Sequence, residues 1–192
     1  ARWGVTFFAA NTYEAVLVPI LADFHPESVN SLVDHSESVI LMTDTDIWAK
    51  LDITKMPKLR AVISSSDFSI LYSADENIQK AHDEMDARFE EKYPDGFTAS
   101  DISYPIDNDK ELAIINYTSG TTSAPKGVML SQKNLVKDAY YSISCMKIPR
   151  NTVAILPLNH TFGFMASILC QLWMGYSVYM NNSVKTVLKD IK

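Results

Sequence analysis

The stretch Asn116-Tyr117-Thr118-Ser119-Gly120-Thr121-Thr122-Ser123-Ala124-Pro125-Lys126-Gly127 decides how the rest of the chain is read. An apolar, strand-like segment, Leu112-Ala113-Ile114-Ile115, runs into it, and a second, Val128-Met129-Leu130, runs out of it. Two buried strands are therefore expected to hold a loop of hydroxyls, glycines and one lysine. Gly120 and Gly127 are expected to free the backbone for positive φ, and Pro125 fixes φ just before the lysine. Thr118, Ser119, Thr121 and Thr122 supply hydroxyl donors beside exposed backbone N–H groups, and Lys126 supplies one flexible positive charge. Such a loop suits polyanionic oxygens, phosphates above all. The plain alternative is a polar hairpin loop that binds nothing.

Spacing separates the kinds of phosphate loop. A Walker loop ends in Gly-Lys-Ser/Thr and leads into a helix. Here Pro125 precedes the lysine, Gly127 follows it, and a strand comes next, so that reading fails. The stretch instead resembles the signature of the adenylate-forming (AMP-binding) superfamily, which includes acyl-CoA synthetases, luciferases and peptide-synthetase adenylation domains. The order there is Tyr-Thr-Ser-Gly-Thr-Thr-Gly-x-Pro-Lys-Gly-Val, and the chain departs from it at one fixed position, where Ser123 stands for glycine. The added Cβ narrows the backbone choices at that point.

The 192 residues leave room for one sizeable domain or two small ones. An apolar share of 47% suits a globular core, and a net charge of −6 argues against a nucleic-acid footprint. No apolar run reaches the ~20 residues of a membrane span. Cys145 and Cys170 show no metal or disulfide spacing and read as two buried thiols of a cytoplasmic protein. The chain opens on Ala1-Arg2-Trp3-Gly4, in mid-pattern, as a fragment would.

Taken in order, residues 3–13 read as a short helix, 15–20 as a buried strand closed by Pro19, 26–35 as a helix opened by Pro26-Glu27, and 38–42 as a strand. A helical turn follows at 47–51 and a strand at 60–63. The alternation argues for an α/β fold with a largely parallel sheet and helices on both faces. Residues 75–93 read as one helix with a stripe of Ile78, His82, Met85, Phe89 and Tyr93, and 94–110 as loop. Ser131 is an N-cap for a helix to about Cys145, with Leu135, Ala139, Tyr140 and Ile143 inward. A strand at 153–156 delivers Pro157-Leu158-Asn159-His160-Thr161-Phe162-Gly163; an apolar helix at 164–174, a strand at 177–180 and a helix start at Lys185 follow.

Alone, His160 at a strand end is a weak signal, since a lone histidine is more often structural. The same superfamily, however, carries Pro-x-x-His-x-Phe/Tyr-Gly about thirty residues after its phosphate loop. The resemblance implies that His160 lies near the substrate carboxylate and the acyl phosphate, with Phe162 and Gly163 shaping the acyl-pocket wall. It implies that Thr118, Ser119, Gly120, Thr121 and Thr122 contact the β and γ phosphates of ATP, that Lys126 neutralises part of their charge or anchors the loop, and that Thr118 touches Mg²⁺. Members join a small-molecule carboxylic acid to ATP and most pass the acyl group to coenzyme A. The family's Tyr-Gly-x-Thr-Glu, ribose-binding Asp and C-terminal lysine domain do not occur in these residues.

The expectation is thus a partial AMP-binding N-terminal domain over 1–192, with 1–148 forming a first sheet layer and 149–192 beginning a second. Its parent resembles a fatty-acid–CoA ligase. The fragment alone is expected to be inactive and to self-associate. A peptide-synthetase-type adenylation domain and a non-catalytic nucleotide-binding or assembly module are the alternatives.

Overall fold

The computed structural model describes residues 2–102, 110–118, 126–158 and 160–181. Their contacts gather into two units, residues 22–106 on the one hand and residues 1–21 with 107–192 on the other. No helix among the described residues is long and apolar enough to cross a membrane.

The chain opens with helix α1 (Arg2–Thr12), whose Trp3–Phe7 spacing turns one aromatic stripe inward; Phe7 is buried. Its last turn is closed by side chains, Asn11 Nδ2 donating to the Phe7 carbonyl and Thr12 Oγ1 to that of Phe8. The strand expected at 15–20 shrinks to a single parallel bridge between Leu17 and Ile114. Leu17 donates to the Ala113 carbonyl and accepts from the Ile115 N–H. Two residues later Pro19 has no N–H with which to continue the ladder.

The unit at 22–106 contains α2 (Pro26–His35), β1 (Ile40–Thr43), α3 (Thr45–Trp48), β2 (Ala61–Ser64), β3 (Ile70–Ser73), α4 (Glu76–Asp83) and α5 (Met85–Lys92). Pro26 occupies the first turn of α2, where its missing N–H costs nothing. The sheet order is β1-β2-β3, with β1 and β2 parallel and β2 and β3 antiparallel. Val29, Leu32, Val33, Met56, Leu59, Ala61 and Val62 are its buried apolar residues. The single helix expected over 75–93 is two helices, broken where Glu84 takes φ −89° and ψ 1°. Their stripe is only partly covered: Met85 and Phe89 are exposed, while Phe89, Tyr93 and Phe97 pack against one another.

In the other unit, β4 (Leu112–Thr118) and β5 (Lys126–Ser131) form an antiparallel hairpin. Ser131 caps α6 (Gln132–Cys145) as expected. Its hydroxyl accepts from the Asn134 N–H, and its own N–H donates to Asn134 Oδ1, a reciprocal capping box. β6 (Asn151–Ala154) and β7 (Ser177–Met180) pair in parallel. The crossover between them is α7 (Thr161–Phe164), a π-helical stretch Met165–Leu169, and α8 (Cys170–Trp173). The strand expected at 153–156 ends at Ala154, and Ile155 and Leu156 are exposed. The helix start at Lys185 lies outside the described residues.

The core of this unit joins the hairpin to the crossover. Ala113 and Ile114 of β4, Leu135 and Ala139 of α6, and Phe164, Met165, Ile168 and Cys170 of the crossover are buried together with Phe7. Phe164 is its aromatic centre, with ring centroids 4.5 Å from Trp3 and 4.3 Å from Phe7. Tyr140, expected inward, is exposed, and so is Cys145; of the two thiols only Cys170 is buried.

The α/β architecture is therefore the expected one. Parallel pairing joins the strands separated by a helical crossover (β1/β2, β6/β7), and antiparallel pairing joins those that lie close in sequence (β2/β3, β4/β5). Only an antiparallel pair can be closed by a short loop.

Candidate active site

Two stretches picked out in the sequence meet in the unit built on β4. The first is the open end of the β4–β5 hairpin. Thr118 and Lys126 are its last register pair, preceded by Tyr117 opposite Gly127 and Asn116 opposite Val128. Both Thr118 and Lys126 are exposed, so a hydroxyl and an ammonium stand together at the two ends of the connecting loop. Ser119, Gly120, Thr121 and Thr122, the other expected phosphate contacts, lie outside the described residues.

Gly127 does not take the positive φ expected of it; it keeps ordinary strand backbone. Its role is space. A Cβ there would stand 2.7 Å from Ile115 Cγ2 and 3.4 Å from the Tyr117 ring. The tyrosine thus lies across the bare backbone of its cross-strand partner, filling what a side chain would otherwise occupy. Burial raises the Tyr117 phenol above its ordinary range, so it stays a neutral donor at physiological pH.

The second stretch is the turn that delivers His160. The His160 N–H donates to the Pro157 carbonyl at 3.1 Å, and the Phe164 N–H donates back to the His160 carbonyl at 3.0 Å. Gly163 is buried directly against this turn: a Cβ there would lie 2.4 Å from the Pro157 carbonyl oxygen and 3.0 Å from Leu156 Cβ. Its lack of a side chain lets α7 fold onto the turn. His160 occupies the N-cap of α7 without using its ring as a cap, and the residue is exposed. Phe162 is exposed as well, at 60%.

A hydrogen bond ties the two stretches together: the side-chain amide of Asn116 donates to the hydroxyl of Thr161. Both residues lie within these stretches, but the sequence gives neither of them a role. Beside Thr161 opens a cavity of about 340 Å³, walled on one side by Asp138 and Ser142 of α6 and by Met146 just past its end, and on the other by His160, Phe162 and Met165. Asp138 and Ser142 stand four residues apart and so share one face of α6. Cys170 closes the cavity floor, and burial pushes its thiol up, with the Asp138 carboxylate adding to the effect.

No cluster of three or more His, Cys, Asp or Glu side chains suited to a metal occurs among the described residues. Mg²⁺ that rides on phosphates takes few protein ligands, and the exposed Thr118 hydroxyl fits such a site.

The AMP-binding enzyme model matches residues 1–192. The probable CoA ligase CCL9 of Humulus lupulus is 29% identical over 183 residues, which cover 91% of this chain and 31% of that protein. The long chain acyl-CoA synthetase 6, peroxisomal, of Arabidopsis thaliana is 27% identical over 210 aligned positions, covering 99% of this chain and 27% of that protein. Among solved structures, the anthranilate CoA ligase AuaEII in complex with anthranoyl-AMP superposes with a TM-score of 0.75 over 99% of this chain and 35% of that one, at 16% identity. At that identity the likeness is one of fold. The chain spans less than a third of the length of the curated relatives it matches.

Proposed function

The chain belongs to the AMP-binding enzyme family, and on that premise we propose that the full-length protein activates a carboxylic acid with ATP and transfers it to coenzyme A. The first step forms a bond between a carboxylate oxygen and the α-phosphorus and releases pyrophosphate. In the second, the thiol sulfur of coenzyme A takes the acyl group, AMP leaves, and the thiol proton is lost.

The observation that carries this reading is the hydrogen bond that links β4, which leads into the hydroxyl-rich loop, to the turn that bears His160. The first step brings an anionic carboxylate to a polyphosphate, so its main requirements are position and charge neutralisation. Lys126 answers the second, with its ammonium beside the departing pyrophosphate. The hydroxyls of Thr118, Ser119, Thr121 and Thr122 and the backbone at Gly120 supply directional donors to the β and γ phosphates. Mg²⁺, when bound, neutralises further phosphate charge, and Thr118 is the residue that would hold it. His160 orients the carboxylate through an imidazole N–H. Gly163 keeps its turn in place, and Phe162 offers an apolar wall to the acyl group.

The acid we favour is a fatty acid. Met146, Phe162, Met165 and Ala166 give the cavity beside His160 an apolar lining, and such walls accept an alkyl chain without leaving polar groups unpaired. Thioester formation by the full-length protein, followed as loss of free coenzyme A thiol over fatty, aromatic, dicarboxylic and amino acids, tests this. Preference for a fatty acid is the expected result. Preference for an aromatic acid would overturn the substrate class, and acid-dependent ATP cleavage with no thioester would overturn the acceptor.

A further inference from the structure

We infer that Asn116 and Thr161 are positioning residues: their hydrogen bond fixes the His160 turn against the strand that enters the hydroxyl-rich loop, and so sets where the imidazole stands relative to the phosphates. The inference rests on the function proposed above and adds two residues to it.

The strand pattern puts Asn116 in place. Beyond the register shift near its start, β4 alternates, so Ile114, Asn116 and Thr118 share one face. Ile114 is buried in the core with Phe164, Met165 and Ile168 of the crossover. Asn116 comes next along that face, and Thr118, the first residue of the loop, lies about 7 Å further on at ~3.4 Å per residue. The face that packs on the crossover therefore runs from a core contact, through an amide, to a loop hydroxyl.

Asparagine is a poor strand residue, and a half-buried amide left without a partner is costly. An apolar side chain at 116 would extend the core already begun by Ile114. Instead the amide reaches across 45 residues of sequence to Thr161. Thr161 is likewise committed. It directly follows His160 and is the first residue of α7, and its hydroxyl goes sideways to β4. Gly163 locks the turn from behind, against Leu156 and Pro157. The hydrogen bond from the Asn116 amide adds a directional polar tie between the turn and β4 to the apolar contact of Phe164 and Ile114 in the core. A shift of about 1 Å in a group that orients a substrate can cost a hundredfold in rate.

The test uses the full-length protein and two independent readouts. Thr161→Val keeps the shape and removes the hydroxyl; Thr161→Ser keeps the hydroxyl. In acid-dependent exchange of pyrophosphate into ATP, Thr161→Val and Asn116→Ala are each expected to lower kcat about ten- to a hundredfold, with KM for ATP changed less than about threefold. The double variant should lose no more than the worse single one, and Thr161→Ser should stay within about threefold of wild type. Separately, the ring signals of His160 in NMR should move in Thr161→Val and stay in Thr161→Ser, whatever the activity. Additive losses, an unchanged kcat in Thr161→Val, or unmoved His160 signals would each overturn the positioning role. A wild-type protein without exchange on any acid would sink the functional reading alone; the His160 signals would still decide the link. Should Thr161→Val fail to fold, Asn116→Ala with the same two readouts decides it.

Discussion

Thr118 and Lys126 face each other as the last register pair of the β4–β5 hairpin, one at each end of the loop between them. Directly opposed strand residues stand about 4.5–5.5 Å apart at Cα, so the ladder fixes where both side chains leave the backbone. The Thr118 hydroxyl and the Lys126 ammonium thus leave the hairpin at a set spacing.

Lys126→Ala in the full-length protein is therefore expected to lower kcat/KM for ATP by about a hundredfold, the loss seen when one donor to a developing anion is removed. Ser123→Gly, which restores the residue usual in the family, should change it less than about threefold. Equal losses from both would contradict the phosphate role given to Lys126.

The two tight glycines should differ in what they tolerate. The Cβ of Gly163→Ala meets a backbone carbonyl oxygen at 2.4 Å, which cannot move without the whole turn. Overpacking of this kind costs about 1–3 kcal/mol. The Cβ of Gly127→Ala meets the side chain of Ile115 at 2.7 Å, and a side chain can adjust. Urea denaturation should show the larger loss for Gly163→Ala; the reverse order would contradict the packing described here.

Much of this fold was legible in the sequence, and the misses have physical causes. Pro26 at the start of α2 and Ser131 at the cap of α6 are local signals, and local signals transfer well. The strand β3 carries no such mark. It follows a turn in which Phe68 takes φ 64°, a conformation usually announced by glycine or asparagine. Here the Asp67 carboxylate holds the turn, accepting from the Ser69 N–H and hydroxyl. Of the site, the loop ends were readable from their hydroxyls, glycines and lysine, and the His160 turn from its resemblance to the family motif. The Asn116–Thr161 bond was not, because a contact across 45 residues leaves no periodicity behind.

Burial raises the Cys170 thiol, and that shift carries a sign for stability. The unfolded thiol ionises near ~8.5, and the folded one ionises higher. The contribution is complete below the unfolded value and is lost as pH rises from there through the folded value. Stability should fall above about pH 8.5, and Cys170→Ala should flatten that fall even if it lowers stability at neutral pH. Tyr117 titrates in a later window, its unfolded phenol lying near ~10. An identical alkaline slope in wild type and Cys170→Ala would contradict this.

The polypeptide 1–192 expressed alone is expected to self-associate. Leu172, Trp173 and Tyr179, all in α8 and β7, are 51%, 52% and 59% exposed. Apolar surface of this kind favours a covered state. Sedimentation at micromolar concentration should reveal dimers or larger species; a single monomeric species would contradict it.

The most direct measurement is exchange of labelled pyrophosphate into ATP by the full-length protein, with and without a carboxylic acid. Exchange that requires the acid, and that Lys126→Ala abolishes or nearly so, is the predicted result. Absence of exchange across fatty, aromatic and amino acids, from a protein shown to be folded, would contradict the claim that the loop from Thr118 to Lys126 activates a carboxylate with ATP.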